Sequence, residues 1–563
     1  MILRAMTLQG FFRIHRACNV AVICLSLVFA EKVSAQQSRL TMLDFSTGSE
    51  MEDYLRVMQI AGKVPLYPWS IRGFSRREIT RLATADSTGP WKLRDRFKTS
   101  PVTVGPLRLG AIFNSAYPYG ANDGPVWAGR GLTSVVSGGF ATALGPISVA
   151  IDPLAFRANN TAFDLLPNGL SGPEAFNQGG TYANYVDLPQ RFGNSPYSRV
   201  DPGASSVRFD SRFLTFGVST ANEWIGPATE YPFLLSDNAP GFPHLFLGTG
   251  EPLNIWIGRL HARLMWGKLY QSDYSPVTGP SQFAFDTSAG KVINAGTIRL
   301  AASGEGVFLP RGIPGLELGV ARFFHVPNTA TEPSSDFWTK PFKVLFLKNE
   351  QAQGDIGGFD NQLASIFFRW VFPHSGLEVF GERGFEDQLY DLRDLILDLD
   401  HEREYMLGFQ KVLRNPADHI EVLRAELVNY QEPGLARDRV EGGIYYHSTL
   451  RQGHTNRGQL LGASPGVGWA AASTLSWTRY SSASRTTATL RRIVRDQRGD
   501  FQTTGIIDPH SSDVIVAAGL ERMRFGRLVD IGATIQAMQD FNRNFSKDVA
   551  NLNLQFTARL HAW

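Results

Sequence analysis

The stretch Arg259-Leu260-His261-Ala262-Arg263-Leu264-Met265-Trp266 alternates without a break: Leu260, Ala262, Leu264 and Trp266 share one face, Arg259, His261 and Arg263 the other. A period of two belongs to a strand. The same alternation runs through residues 316–320, 423–427, 529–535 and 552–560. A one-sided pattern of this kind suits a soluble antiparallel sandwich as well as a membrane barrel. Three features favour the barrel: the pattern persists from Pro101 to the end of the chain, charges such as Arg263 and Glu426 sit in mid-strand, and long Gly/Pro/Asn-rich connections occur, as in residues 152–203. In a bilayer every backbone group has to be bonded within the protein, so spanning strands must close on themselves. The expectation is an all-β fold, a transmembrane antiparallel β-barrel over residues 101–563, with its charged face toward the lumen.

Composition agrees. The 563 residues are 43% hydrophobic and 12% aromatic with 55 Gly, values that fit one large barrel as well as several soluble domains. Residues 1–35 carry Arg4, Arg13 and Arg16, an apolar run over 20–30, and Val33-Ser34-Ala35. That is the layout of a cleavable signal peptide, and the run is too short for a spanning helix, which needs about 20 residues. The chain is therefore expected to be exported to the cell outer membrane and to begin at Gln36. Both cysteines, Cys18 and Cys24, lie in this leader, and Cys24 follows Val22-Ile23 rather than the small residues of a lipidation site. The exported protein is expected to have neither disulfide nor thiolate chemistry. The leader also holds four of the 55 Lys/Arg and one of the 52 Asp/Glu, so the remainder is balanced. A nucleic-acid partner usually demands a basic excess, so none is expected. Outer-membrane lipids and the barrel assembly machinery are the partners such a barrel would have.

Residues 36–100 read as a small helical region, which the family resemblance given below places at the periplasmic end. Met51, Tyr54, Leu55 and Met58 recur at helical spacing behind a Ser49/Glu52 capping box, and Gly62 and Pro65 stop the helix; Ser75 and Glu78 repeat the device ahead of Ile79 and Leu82. A segment this short buries little core alone and is expected to pack against the strands C-terminal to it. The chain ends on an aromatic, Trp563, as outer-membrane barrels commonly do. The apolar phase of Leu552, Leu554, Phe556, Ala558 and Leu560 leaves Trp563 on the opposite parity.

Four stretches in shared order resemble the Wzi-type capsule assembly family: EDYLRVMQIAGKVPLYPWSIRGFSRREI (52–79), Asp123-Gly124-Pro125-Val126-Trp127-Ala128-Gly129-Arg130-Gly131, STANEWIGPATEYPFLLSDNAPGFPH (219–244) and GHTNRGQLLGASPGVG (453–468). The chain departs from the family pattern at Trp224-Ile225-Gly226-Pro227-Ala228 and at Pro465-Gly466-Val467-Gly468-Trp469. The resemblance implies a barrel of about 18 strands with a helical region closing the periplasmic end. It implies a lectin-like role, binding capsular or extracellular polysaccharide and retaining it at the cell surface, without catalysis.

Holding a sugar polymer takes planar hydrogen-bonding groups for its hydroxyls and aromatic faces for its C–H surfaces. Three sets supply these types: His454, Asn456, Arg457 and Gln459; Trp224, Asn222, Asn238 and His244; Trp127 and Arg130. Each residue also has a structural reading, as turn former or lumen ion pair. A porin or polysaccharide exit channel is the alternative. A glycoside hydrolase is a minor one, for which Glu382 and Asp387 could be nominated. No nucleophile-elbow, zinc-helix or phosphate-loop motif occurs, so neither enzymatic activity nor a cofactor is expected. The acidic stretch 382–404 could suggest calcium, but Leu389, Leu392, Leu395, Ile396 and Leu399 give it a helical apolar seam; a loop helix is preferred to a metal site.

Overall fold

A computed structural model describes residues 38–561 except 99, 181–185, 277–284, 287–290, 293–297, 329–332, 346–359, 387–402, 431–442, 448–449 and 497–511. The leader, Trp563, Asp387 and the centre of the acidic stretch lie outside the described residues.

Alternation closes the sheet. Among the described residues twenty-three antiparallel segments form one continuous sheet, and they fall into eighteen columns because five of the columns are broken once. The first nine columns are β1 (Val102–Val104, Leu107–Asn114), β2 (Gly131–Ser137, Phe140–Leu144), β3 (Ile147–Ile151, Leu154–Ala158), β4 (Tyr197–Asp201, Ser206–Asp210), β5 (Thr215–Ser219), β6 (His244–Gly248, Leu253–Ile255), β7 (Gly258–Tyr270), β8 (Ile298–Pro310) and β9 (Leu316–Pro327). The remaining nine are β10 (Asn361–Phe372), β11 (Leu377–Glu386), β12 (Arg403–Arg414), β13 (His419–Asn429), β14 (Ala470–Ser481), β15 (Ser484–Asp496), β16 (Ser512–Arg524), β17 (Val529–Arg543) and β18 (Lys547–Leu560). Each pairs with its neighbours in sequence, and β18 pairs with β1, Leu560 opposite Leu107, so no edge remains. In β7 the side chains of His261, Arg263 and Met265 are buried inward while Leu260 is exposed. An exposed belt including Leu109, Leu132, Leu318, Leu407, Leu475, Leu490 and Leu520 circles the outside. Among the described residues no helix is long and apolar enough to cross a membrane. Both ends of the acidic stretch are strand, in β11 and β12.

Breaks in the first four columns are aligned: Gly105-Pro106, Gly138-Gly139, Asp152-Pro153 and Pro202-Gly203 lie side by side, joined by Gly105 N–H to Gly139 O (2.9 Å) and an Asp152–Gly203 bridge. A β-carbon on Gly139 would stand 1.9 Å from the Ile151 carbonyl oxygen, and one on Gly203, at φ +56°, 2.3 Å from that of Asp152. Only glycine lets the backbones approach this closely.

Turns at one end of the barrel are short, and at the other the connections are long except for the tight turn 544–546 between β17 and β18. Helices α1 (Glu50–Ile60), α2 (Arg76–Ala85) and α3 (Leu93–Arg96) pack into the short-turn end. Ser75 and Glu78 exchange both capping bonds. Ser49 caps α1 by accepting from Glu52 N–H (3.3 Å), whereas the Glu52 carboxylate turns to Gly48 N–H (2.7 Å). Tyr54, Met58, Trp69 and Trp91 share a core with Ile420, Tyr480 and Phe525 from the barrel wall. Ion pairs fix the register: buried Glu378 of β11 accepts from Arg56 Nη2 (2.7 Å), Arg369 Nε (2.7 Å) and Gln410 Nε2 (3.0 Å), and Glu317 of β9 accepts from the backbone N–H of Trp69 and Ser70. Asp53 accepts from Arg424 (2.5 Å) and the Tyr480 hydroxyl (2.7 Å). Burial alone would lift its carboxyl, but Arg424, the Tyr480 hydroxyl and Arg485 outweigh burial and hold it down at about 2.

The docked helices can be probed in two ways. Glu378→Ala leaves Arg56 buried without its counter-ion and Arg369 with Glu317 alone, and should cost about 3–5 kcal/mol, read by urea unfolding in detergent. Because the Asp53 carboxyl is lowered from its ordinary 3.8, the docking it supports should be complete above about pH 4 and lost as pH falls toward about 2. Protease access to the helices should track that window, and Arg424→Met should move it upward; a pH-independent cleavage rate would contradict the assignment.

Candidate functional site

Inward charges on the wall leave a polar cylinder, and two chain segments enter it. One is residues 220–243, between β5 and β6; the other is residues 443–447 and 450–469, between β13 and β14. They interlock through Ser236 N–H to Leu461 O (3.0 Å) and Ala463 N–H to Pro232 O (2.9 Å), and their Phe233, Leu234, Leu235, Tyr445, Leu460 and Leu461 form the luminal core with wall residues such as Phe323 and Phe380. Two stretches that sequence reasoning assigns to sugar-reading loops are therefore largely interior plug.

The wall receives the plug with matched groups. Glu426 accepts from Thr229 N–H (2.8 Å) and hydroxyl (2.7 Å), Glu230 N–H (3.0 Å) and Tyr231 N–H (2.7 Å), which satisfies a carboxylate with four donors. A relay crosses from wall to plug: Arg299 Nη1 lies 3.2 Å from His325 Nδ1, His325 Nε2 2.8 Å from His454 Nδ1, and His454 Nε2 2.6 Å from Leu234 O. Because the last acceptor is a carbonyl, His454 Nε2 carries the proton, its Nδ1 accepts, and His325 Nε2 donates. Burial pushes the His454 imidazole down to about 3, so it stays neutral in this role.

This geometry separates the candidate residues. His454 and Asn456 are fully buried; Asn456 accepts from Tyr270 N–H (2.9 Å) and donates to Pro240 O (3.0 Å). Arg457, at φ +51°, donates its N–H to Tyr270 O (2.6 Å) and lays its guanidinium over the Tyr270 ring at 5.0 Å. Trp224 is buried under Arg72 (4.3 Å), with Nε1 donating to Ala228 O (3.1 Å). Asn222 donates to Ser236 O and Ala239 O. His244 is buried between Phe242 O (2.8 Å) and Glu223 (3.5 Å). Arg130 Nε donates to Ser115 O (3.1 Å). Glu382 is buried in β11.

Trp127, Asn238 and Gln459 are the three that the fold brings together. They line a cavity of about 380 Å³ at the long-connection end, within the roughly 300–1,000 Å³ usual for ligand clefts. Half-buried Trp127 packs edge-on to Phe192 (5.1 Å). Tyr117, Tyr119, Phe163 and Phe545 add aromatic surface, Gln178 and Gln190 add amides, and Arg491, Arg495 and Arg543 add guanidinium groups. Arg543 lies 3.9 Å over Tyr117 and 2.9 Å from Asp540; Arg491 donates to the Tyr119 hydroxyl and to Glu230, both at 2.6 Å. The sequence conceals these arginines, since Arg491-Arg492 blurs the alternation and only the pairing of Arg491 with Ala517 on β16 fixes which one faces inward. Asp123, also on this cavity, is raised to about 7 by burial. Among the described residues no group of three or more His, Cys, Asp or Glu is placed to hold a metal.

No family model matches the sequence, and no curated protein matches it. Solved structures match the fold. The Escherichia coli outer-membrane protein Wzi, involved in group 1 capsule assembly and described as a carbohydrate-binding β-barrel, aligns over 91% of this chain and 98% of its own at 13% identity, with a TM-score of 0.58. Acinetobacter baumannii OccAB3 aligns over 81% of this chain and 98% of its own at 11% identity and a TM-score of 0.38. For Pseudomonas aeruginosa OccK2 the corresponding values are 82%, 98%, 10% and 0.37. The Wzi likeness shows the fold of an outer-membrane β-barrel.

His454→Ala should strand His325 and the Leu234 carbonyl and open a hole beside Tyr445 and Phe323, costing about 2–4 kcal/mol. Thermal unfolding in detergent would measure this, and an unchanged midpoint would contradict the relay.

Proposed function

We propose that this barrel binds capsular or extracellular polysaccharide in the outer cavity and holds it at the cell surface without cleaving it. The observation that carries this reading is the cavity at the long-connection end, where aromatic faces, amides and guanidinium groups converge on a space of ligand size. Aromatic rings take the C–H faces of a sugar, and planar amides and guanidinium groups read its hydroxyls or hold carboxylates in pairs. The barrel filled by its plug supports retention rather than wide-pore passage, since Tyr445, Phe233 and their neighbours occupy the luminal centre. Within the proposed site Trp127, Asn238 and Gln459 serve with Gln178 and Tyr117, whereas His454, Asn456, Arg457, Trp224, Asn222, His244 and Arg130 act by holding the plug and loops that shape it. The family resemblance and the Wzi-like fold point the same way, and they support an outer-membrane location facing its lipids.

Loss of the gene should leave polymer export intact and release polymer into the medium; normal cell-bound polymer in the mutant would overturn the reading. With purified barrel and purified polymer, Trp127→Ala should weaken binding about threefold to tenfold, the worth of one aromatic face, and Gln178→Ala should weaken it while leaving thermal stability unchanged. Wild-type binding by both variants would move the site elsewhere.

A further inference from the structure

Two more cavities lie beneath the outer one. The middle one, about 330 Å³, runs along the inner wall of β14–β18, past Thr478, Thr487, Thr489 and Gln536, to helix α1. The inner one, about 560 Å³, lies between residues 42–49 and the bent columns β1–β4 and reaches Arg76 and Lys98 at the helical end. Each is many times the roughly 30 Å³ share of a water molecule. They adjoin one another: residues that line both outer and middle include Tyr119, Asp123, Glu230 and Arg491, those that line both middle and inner are Gly48, Ser49 and Asp123, and Asp123 touches all three. The plug packs on wall residues from β7 to β17, and the polar seam runs between its edge and the walls of β14–β18 and β1–β4.

Where outer and middle cavities meet, one side chain crosses the seam. Arg491 donates through Nη1 to the Tyr119 hydroxyl (2.6 Å), through Nη2 to Glu230 (2.6 Å) and through Nε to the Thr474 hydroxyl (3.3 Å), tying the wall to the loop after β1 and to the plug. Its side chain is 14% exposed and that of Glu230 23%, so the pair borders water on both sides and can part without stranding a dry charge. We propose that this seam is a path for small inorganic ions, held shut where Arg491 clamps Tyr119 to Glu230. The path rests on different groups from polymer retention but shares its mouth: ions would enter through the outer cavity, where the polymer would sit, and meet the clamp at its floor. Its wall of hydroxyl, amide and paired charged groups offers permeant ions substitutes for their hydration shell.

Planar bilayers holding the purified full chain in potassium chloride test this. Wild type should pass little current, and Arg491→Ser or Tyr119→Ala should each raise single-channel conductance at least tenfold. The reversed pair, Arg491→Glu with Glu230→Arg, should return to the wild-type level, which separates loss of the clamp from loss of the fold. Wild-type-like silence in both single variants would overturn the proposal, as would a steady open current in wild type or a reversed pair as conductive as Arg491→Ser. Polymer binding by the wild-type preparation tells this failure apart from failure of the retention reading: silent variants beside a wild type that binds polymer remove only the ion path.

Discussion

A closed sheet whose every second side chain points inward cannot stay empty of partners. Placing charges on the luminal face solves the problem of the lipid-facing side and creates another, since a guanidinium or carboxylate enclosed without a counter-group is costly. The interior of this barrel is arranged around that constraint. Glu378 meets Arg56 and Arg369, Glu317 meets the amides of Trp69 and Ser70, and Glu426 meets those of Thr229, Glu230 and Tyr231. Arg299 donates directly to the plug carbonyls of Gly453 and Thr455 and touches it again through two histidines. Wall and plug are in this sense one object: the plug's backbone supplies donors that the strands cannot supply to one another.

Much of this architecture is visible in the sequence, and the limits are physical ones. Strand character is legible wherever apolar and charged residues alternate cleanly, as in β7, and helix starts are legible at Ser49 and Ser75 because caps are local. The Ser49 box is only half formed, since Glu52 finds a nearer amide at Gly48. The aligned breaks through β1–β4 are not legible, because each Gly or Pro pair reads alone as an ordinary turn and acquires meaning only beside its neighbours. The two stretches most distinctive in sequence, 219–244 and 453–468, are rich in Asn, Gly and Pro, which reads as exposed loop. Inside a polar lumen the same composition gives tight turns whose amides and carbonyls bond to the wall. The clean pairing of Arg491 with Ala517 is likewise a product of register, which no single strand specifies.

The functional surface inherits this arrangement. Of ten residues chosen by chemistry, three line the outer cavity, and the others are occupied in holding the segments that shape it. A polar side chain can be distinctive because it binds a ligand or because it satisfies a buried group, and some do both. Asn456 and His454 are bonded within the fold; Asn238 and Gln459 line the cavity while also holding Asn122 N–H and Leu460 O, and Arg199 and Gly124 O; Trp127 and Gln178 line the cavity beside them.

The seam at which the cylinder closes joins Leu107 of β1 to Leu560 of β18, nearly the whole chain apart. Contacts so distant in sequence form late and slowly. Residues 220–243 are different: they hang between the adjacent strands β5 and β6, can enter the cylinder through its open end, and are then held by their bonds to Glu426 and Leu461. Closing the wall joins the two ends of the chain, whereas filling it is the work of loops strung between neighbours.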